Sequence, residues 1–336
     1  MSVVAVLENV EMSVEQAWAE FRTPMIETVF AGNDRRFVFL HSGAVGFDQL
    51  RVRVSNGTRT TAMFPVSAAN IRGARQVFLG EKCHDHVLVI DNGSINLANG
   101  RGVALYAVHD GMQSPESLRL VQRAGLLLER ITRSIASHGG PQSVGELMAA
   151  VRDAYLSKIY GAHWVKRCLK RSNFGAAVGI VLVDETGQGS CWGLGDVAVN
   201  QLRRGTNPIL LNRLYTSDHD REGMSDSANA AHGLTAYVGM PKNRLDEDDD
   251  HFECRNFQLA PGDRLVVVDD CVRTTTSSGP KEFVLPLSTW LNTASSTELE
   301  GVVRVLIEDL ADAHADACAL PDDVGLIVVE FTPAKD

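Results

Sequence analysis

Apolar residues recur along this chain in two rhythms. Leu118, Val121, Ala124, Leu128, Ile131 and Ile135 follow one another at steps of three and four, the spacing of one face of an amphipathic helix. His138-Gly139-Gly140-Pro141 breaks that pattern, and a second stripe of Val144, Leu147, Val151, Tyr155 and Ile159 begins just after Ser143 and Glu146, which read as a capping box. A third stripe, Leu299, Val302, Leu306 and Leu310, follows Ser295 and Glu298 in the same relation. A shorter helix is predicted over 14–21. The other rhythm is that of short apolar runs bounded by Gly, Asn and Asp, which predict strands. They lie at 3–7, 37–40, 50–54 and 60–64, then as two runs between 75 and 110 joined by a polar loop over 91–102. Further runs at 177–183, 190–194 and 197–202 read as a meander, followed by 257–259, 264–268, 283–285 and 325–331. The segments 217–232 and 246–250 are polar and read as loops. Strands, a helix pair, a meander, a helix and a last strand predict an α+β fold of antiparallel sheets covered by helix pairs.

With 336 residues, 44% of them hydrophobic, the chain has ample material for a large core, and one large or two smaller domains both fit. The net charge of −10, from 42 acids against 32 bases, argues against a nucleic-acid partner held through phosphate contacts. The basic cluster Lys166-Arg167-Cys168-Leu169-Lys170-Arg171 reads as solvated surface. The six cysteines share no CxxC spacing, so neither a zinc ribbon nor a small disulfide scaffold is indicated. No apolar stretch approaches the ~20 residues of a membrane span. The acidic start lacks the basic region of a signal peptide, and a cytoplasmic location is expected.

Four aspartates stand beside the strand-like runs. Asp85 opens 85–90, Asp110 closes 104–110, Asp270 closes 264–270, and Asp322 precedes 324–329. Carboxylates at the ends of buried strands are held rigidly, and those that converge repel one another unless a cation neutralises them. Oxygen ligands of this kind suit Mg²⁺ or Mn²⁺.

The segments carrying these aspartates, taken in order, resemble the metal-dependent protein phosphatases of the PPM (type 2C) family. The matching stretches are Cys83-His84-Asp85, Val108-His109-Asp110-Gly111-Met112, Leu194-Gly195-Asp196-Val197-Ala198, the run from Pro261-Gly262-Asp263 to Asp269-Asp270-Cys271, and Asp322-Asp323 before 324–329. Thr216-Ser217-Asp218-His219 and Leu234-Thr235-Ala236-Tyr237-Val238-Gly239 match two further family motifs. The resemblance covers the chain from about Gly80 to Phe331. It implies two packed antiparallel β-sheets flanked by helix pairs, an α-β-β-α sandwich, spanning 76–332, while 1–75 exceed the resemblance and read as an N-terminal extension or as accessory strands and helix packed on the main domain. It also implies two Mg²⁺ or Mn²⁺ ions and a metal-bridging water that attacks the phosphorus of phosphoserine or phosphothreonine. In that scheme Asp110 bridges both metals, the Gly111 carbonyl joins one of them, Asp270 and Asp322 hold the second, and Asp85 acts through a metal-bound water. A phosphoprotein substrate or protein partner follows.

Several positions depart from the family pattern. His84 stands where a glutamate is usual and offers an imidazole as an alternative ligand. Gly80 stands where a phosphate-binding arginine is expected, leaving Lys82 or Arg75 to substitute, and a bidentate arginine is not easily replaced. Two glycines are missing after Asp110-Gly111, Cys271 replaces a glycine, and Asp323 replaces an asparagine. His109 fits either proton transfer to the leaving group or a place in the core. The run His84-Asp85-His86 also invites comparison with HD-type metallohydrolases, whose further His and Asp ligands sit on helices, whereas this run lies at a strand. Two functional readings therefore stand side by side: a divergent serine/threonine phosphatase, and a catalytically inactive pseudophosphatase that serves as a binding or scaffold module.

Overall fold

A computed structural model describes residues 13, 15–16, 19, 24–26, 30–31, 34–35, 40–42, 63–74, 76, 81–112, 114–169, 174–203, 205–215, 234–245, 249–270, 291, 294–295, 297–316 and 322–332. Two short pairs come first: β1 (Pro24–Ile26) with β4 (Leu40–Ser42), and β2 (Phe30–Ala31) with β3 (Asp34–Arg35). The remaining strands are β5 (Val66–Ile71), β6 (His86–Asn96), β7 (Gly102–Gly111), β8 (Ala176–Asp184), β9 (Gln188–Leu194), β10 (Ala198–Leu202), β11 (Ile209–Leu210), β12 (Arg255–Gln258), β13 (Arg264–Val268) and β14 (Val324–Glu330). They form two five-stranded sheets, in the orders β11-β10-β13-β14-β5 and β12-β9-β8-β7-β6. Every pairing within them is antiparallel.

The predicted stripes become the outer layers. Helices α1 (Pro115–Ser137) and α2 (Val144–Gly161) cover the second sheet, burying Leu120, Val121, Ala124, Leu128, Leu147, Val151 and Tyr155 against Leu105, Ala107, Ile180 and Leu182. Ser114 caps α1 by accepting from Ser117 N at 3.1 Å, and Ser143 caps α2 by accepting from Glu146 N at 3.2 Å. Glu146 reaches back to the N–H of Gln142, at 2.9 Å, one residue before the cap. The short α3 (His163–Cys168) follows, and α4 (Lys242–Leu245) lies later in the chain. Helix α5 (Leu299–Asp316) packs Val302, Leu306, Ile307 and Leu310 on the other sheet against Ala69, Ile71, Val266, Val268 and Leu326. Between the sheets lies an apolar layer that includes Val87, Tyr106, Val108 and Val181 with Val199, Val267, Ile327 and Val329. The architecture is the α-β-β-α sandwich expected from the sequence.

Two details differ from expectation. The loop predicted over 91–102 shrinks to 97–101, because β6 continues to Asn96 through a register shift between Ile90 and Ile95. Asp91 stays buried within that strand because its carboxylate accepts from Met63 N at 2.8 Å and Phe64 N at 3.1 Å. In addition, β5 precedes residue 75 yet completes the first sheet by pairing with β14 from Ile71↔Val324 to Val66↔Val329. The strands expected at 3–7, 50–54 and 283–285 and the loop at 217–232 lie outside the described residues.

Antiparallel register gathers strand ends. His86 pairs with His109, Gly111 with Ala176, Ala198 with Val268, Val268 with Leu326, and Val324 with Ile71. The ends of β5, β7, β9 and β13 and the starts of β6, β8, β10 and β14 therefore share one edge of the sandwich.

Candidate metal centre

Acidic residues concentrate on that edge in two groups. In the first, Asp110 leaves β7 in one sheet, Asp270 follows β13 in the other, and Asp196 lies in the β9–β10 connection that crosses between the sheets. One carboxylate oxygen from each lies within 4.8 Å of the other two. Asp196 is buried and the other two are half-buried. The crossing turn depends on Gly195, whose φ of +102° is disfavoured for other residues. A Cβ there would also meet the Cβ of Ala177 at 2.4 Å.

The second group is Cys83, Asp85 and Asp323, whose ligand atoms also lie within 4.8 Å of one another. Asp323 is held by two backbone donors, Gly73 N at 2.8 Å and His84 N at 2.7 Å. The Cys83 thiol contacts Asn70 Oδ1 at 3.2 Å, and Asn70 Nδ2 donates to the Asp85 carbonyl at 3.2 Å. Burial pushes the Asp85 carboxyl well above the usual carboxylate range, and the charges of Asp269 and Asp110 push it further. Asp323 is raised in the same way, by burial first and by Asp322 second, against the opposing pull of its two backbone donors. The charge of Asp110 reaches Asp85, so the two groups adjoin. Asp269 faces this interior too, accepting from Gly325 N and donating its own N–H to the Gly325 carbonyl at 3.2 Å.

Three solved structures share this architecture. MsPP, a PPM Ser-Thr phosphatase from Mycobacterium smegmatis in complex with cacodylate, aligns with 80% of this chain and 98% of its own at 19% identity and a TM-score of 0.53. PppA, a key regulatory component of T6SS in Pseudomonas aeruginosa, aligns over 80% and 98% at 17% identity and a TM-score of 0.54. The catalytic domain of the serine/threonine phosphatase PstP, in complex with two manganese ions, aligns over 80% and 97% at 18% identity and a TM-score of 0.50. The chain has the PPM phosphatase fold. No protein-family model matches its sequence, and no curated protein does.

On this PPM scaffold the residues singled out from the sequence fall into distinct places. Asp110 and Asp270 come together, joined by Asp196 from the turn between two strands of the predicted meander. Its location at a strand end on the same edge is the signal that would have found it. Asp85 adjoins them. Gly111 follows Asp110 in β7, and its N–H donates to the His84 carbonyl at 3.2 Å. Asp322, expected beside Asp270, is in neither ligand group among the described residues. Its Oδ1 accepts from Gln76 Nε2 and from Asp323 N at 2.9 Å, and the next residue, Asp323, is the one that turns toward Asp85.

His84 is buried, with Nδ1 lying 3.9 Å from Asp323 Oδ2. Burial lowers its pKa, against the opposing charges of Glu81 and Asp322. Lys82 is exposed, and Arg75, Gly80, Asp218, His219 and Cys271 lie outside the described residues. His109 turns away from Asp110. Strand alternation puts it on the opposite face of β7 from Asp110, where it is fully buried and hydrogen-bonded through Nε2 to the Tyr155 hydroxyl at 3.0 Å. Of the two places open to His109, this is the one in the core.

Proposed function

We propose that this chain is a divalent-metal-dependent phosphohydrolase acting on phosphoserine or phosphothreonine in a protein. The observation that carries the reading is the meeting of Asp110, Asp196 and Asp270, drawn from both sheets and their crossover, on one edge of a PPM-type sandwich. Three carboxylates this close repel one another, and an all-oxygen donor set of this kind fits Mg²⁺ or Mn²⁺. Asp110 and Asp270 would hold the ions, with Asp196 as a further carboxylate and the Gly111 carbonyl beside Asp110. The chemistry such ions supply when bound is acidification of a water and neutralisation of phosphoryl charge. The chain contributes position: the β7 ladder holds Asp110, β13 ends two residues before Asp270, and an apolar layer lies between the sheets. Lys82 and Arg75 are the candidate phosphate contacts.

One observation favours a second reading. Asp322, the carboxylate expected on the second ion, is already engaged by Gln76 and by Asp323 N. A chain that keeps the fold and loses turnover would serve as a pseudophosphatase binding module. The deciding experiment is hydrolysis of p-nitrophenyl phosphate and of phosphoserine and phosphothreonine peptides by purified protein with Mn²⁺ or Mg²⁺. The enzyme reading expects turnover that falls at least about 100-fold in Asp110→Asn and Asp270→Asn, since even outer partners of metal ligands cost 10–100-fold. Folded protein inactive with every divalent ion overturns it in favour of the second reading.

A further inference from the structure

Two arginines of α1 rest on a single indole. Arg119 and Arg123 hold their guanidinium carbons 5.1 Å and 5.3 Å from the centre of the Trp164 ring in α3. That ring is half-buried and is braced edge-on by the buried Phe174, with centroids 6.2 Å apart and planes at 83°. Both arginines are exposed, and neither has a carboxylate partner among the described residues. Other arginines are paired: Arg133 with Glu129, Arg152 with Asp153, Arg213 with Asp250 and Arg264 with Glu330. Cation–π contact explains how each guanidinium is held. It does not explain why two like charges, four residues apart on one helix and therefore repelling, share one ring without an anion.

The position of the pair gives it a use. Helix α1 begins at Pro115, just after β7 ends at Gly111, and Arg119 stands one turn in, about 6 Å along the axis. Phe174, which braces the indole, comes just before β8 starts at Ala176. Both strand ends lie on the edge that carries Asp110. The basic stretch at 166–171 joins from α3, where Arg167 is exposed and stands three residues on from Trp164, on the same face. We propose that Arg119, Arg123, Trp164 and Arg167 form a docking surface for an acidic stretch of the phosphoprotein substrate. Its use rests on the phosphatase reading, which it narrows to phosphoproteins whose phosphoresidue is flanked by glutamates or aspartates.

A guanidinium stacked on a ring is already ordered and keeps its N–H edge free, so it meets a carboxylate in bidentate geometry with little further ordering. Charge selects the partner. The chain's net charge of −10 repels an acidic segment as a whole, and a positive patch gives that segment one place to settle. The same net charge disfavours nucleic acid, whose affinity needs many phosphate contacts. Two exposed arginine–carboxylate contacts of ordinary strength favour an acidic peptide by about 5- to 10-fold.

The test uses purified full-length protein with Mn²⁺ and two phosphoserine peptides that differ only in a run of glutamates or of glutamines beside the phosphoserine. The parent is expected to favour the glutamate peptide by about 5- to 10-fold in kcat/KM, through KM rather than kcat. Arg119→Glu combined with Arg123→Glu removes the preference. Comparing two peptides within one protein cancels any change in turnover or folded fraction. Equal kcat/KM for both peptides in the parent overturns the proposal, as does a preference that survives the double substitution. Should that variant fail to fold, salt decides on the parent. The preference vanishes between about 50 mM and about 500 mM NaCl, as the Debye length shortens to under about 5 Å, and a salt-insensitive preference overturns the proposal. Docking is also read without turnover, by anisotropy of labelled unphosphorylated peptides. Binding of the glutamate but not the glutamine peptide, lost in the double variant, in a protein that hydrolyses nothing supports the surface and overturns the phosphatase reading alone. A DNA or RNA oligonucleotide that binds tighter than the glutamate peptide, and is lost in the same variant, overturns the proposal in favour of nucleic acid.

Discussion

The Gly111 N–H and the His84 carbonyl are hydrogen-bonded at 3.2 Å, tying the end of β7 to the chain entering β6 and so fixing Asp110 against Asp85. The contact needs glycine because of closeness rather than backbone angle. A Cβ at 111 would lie 2.6 Å from the His84 oxygen and 2.9 Å from Val121 Cγ2. Backbone cannot yield as a flexible side chain can, so Gly111→Ala forces the two strand ends apart. Overpacking of this kind costs roughly 1–3 kcal/mol, and it displaces Asp110 as well. The expected outcome is a lowered Tm together with a loss of metal-dependent turnover larger than the stability change explains. Gly161→Ala, at the end of α2 with nothing within 4 Å of the new Cβ, is the control and is expected to stay within about 0.5 kcal/mol of the parent.

Acid should unfold this protein through the helix-facing side of the second sheet. The rings of His86 and His109 lie edge to face with centroids 5.9 Å apart. Gly125 of α1 rests directly on His86, where any Cβ would collide with the ring. Burial lowers the pKa of His86 to about 4 and that of His109 to about 3, with the charge of His86 a further cause for His109. Both values lie below the ordinary 6.5, so the fold favours neutral imidazole. The stability this gives is complete above about pH 6.5 and declines as pH falls toward 4 and then 3, by up to about 1.4 kcal/mol per pH unit for each histidine. Urea midpoints measured across that range should fall with pH, and His86→Phe should flatten the slope.

The turn between β8 and β9 offers a stability test remote from the site. Asp184 is fully buried and accepts from Thr186 N at 2.9 Å, Thr186 Oγ1 at 2.7 Å and Gln188 N at 3.0 Å, with Arg101 Nη1 at 3.3 Å. Asp184→Ala strands these donors, at a cost of about 1–3 kcal/mol for a group left buried and unsatisfied. Thermal unfolding should register that loss, while turnover per folded molecule should remain unchanged.

The helices and most strands were legible because α1, α2 and α5 each bury one continuous stripe, and β8, β13 and β14 are apolar runs covered on both faces. The site was legible only as a set of strand ends. Where acids come in pairs, as in Asp269-Asp270 and Asp322-Asp323, sequence does not say which one faces the cleft. Alternation holds while the ladder lasts, and both pairs lie just where β13 ends and β14 begins. There, tertiary contacts decide: Gln76 holds Asp322, while His84 N and Gly73 N draw Asp323 inward. His109 was the opposite case, since one step along β7 from Asp110 fixes it on the other face. Asp196 was missed because a lone aspartate after glycine reads as a turn, and only the crossover between sheets brings it to Asp110.

The hold of Gln76 on Asp322 can itself be tested. Gln76 is almost fully buried, and while its Nε2 donates to Asp322, its Oε1 is buried without a partner. Half of this amide is therefore unsatisfied, and what keeps it in place is the carboxylate. Gln76→Ala removes that donor from Asp322 Oδ1, which still accepts from the Asp323 N–H, and so leaves the carboxylate less tightly engaged. Two effects of opposite sign follow. Stability falls by roughly 1–2 kcal/mol from lost packing and a lost charge-assisted hydrogen bond. Mn²⁺ affinity rises, because the carboxylate has one partner fewer to leave in order to bind. Calorimetric titration of Mn²⁺ into Gln76→Ala should show tighter binding than the parent chain. Gln76→Glu should replace the hydrogen bond to Asp322 with like-charge repulsion, yet still support metal through the added oxygen. Unchanged Mn²⁺ binding in both variants would mean that Asp322 takes no part in the metal centre, leaving the Asp110 group to act without it.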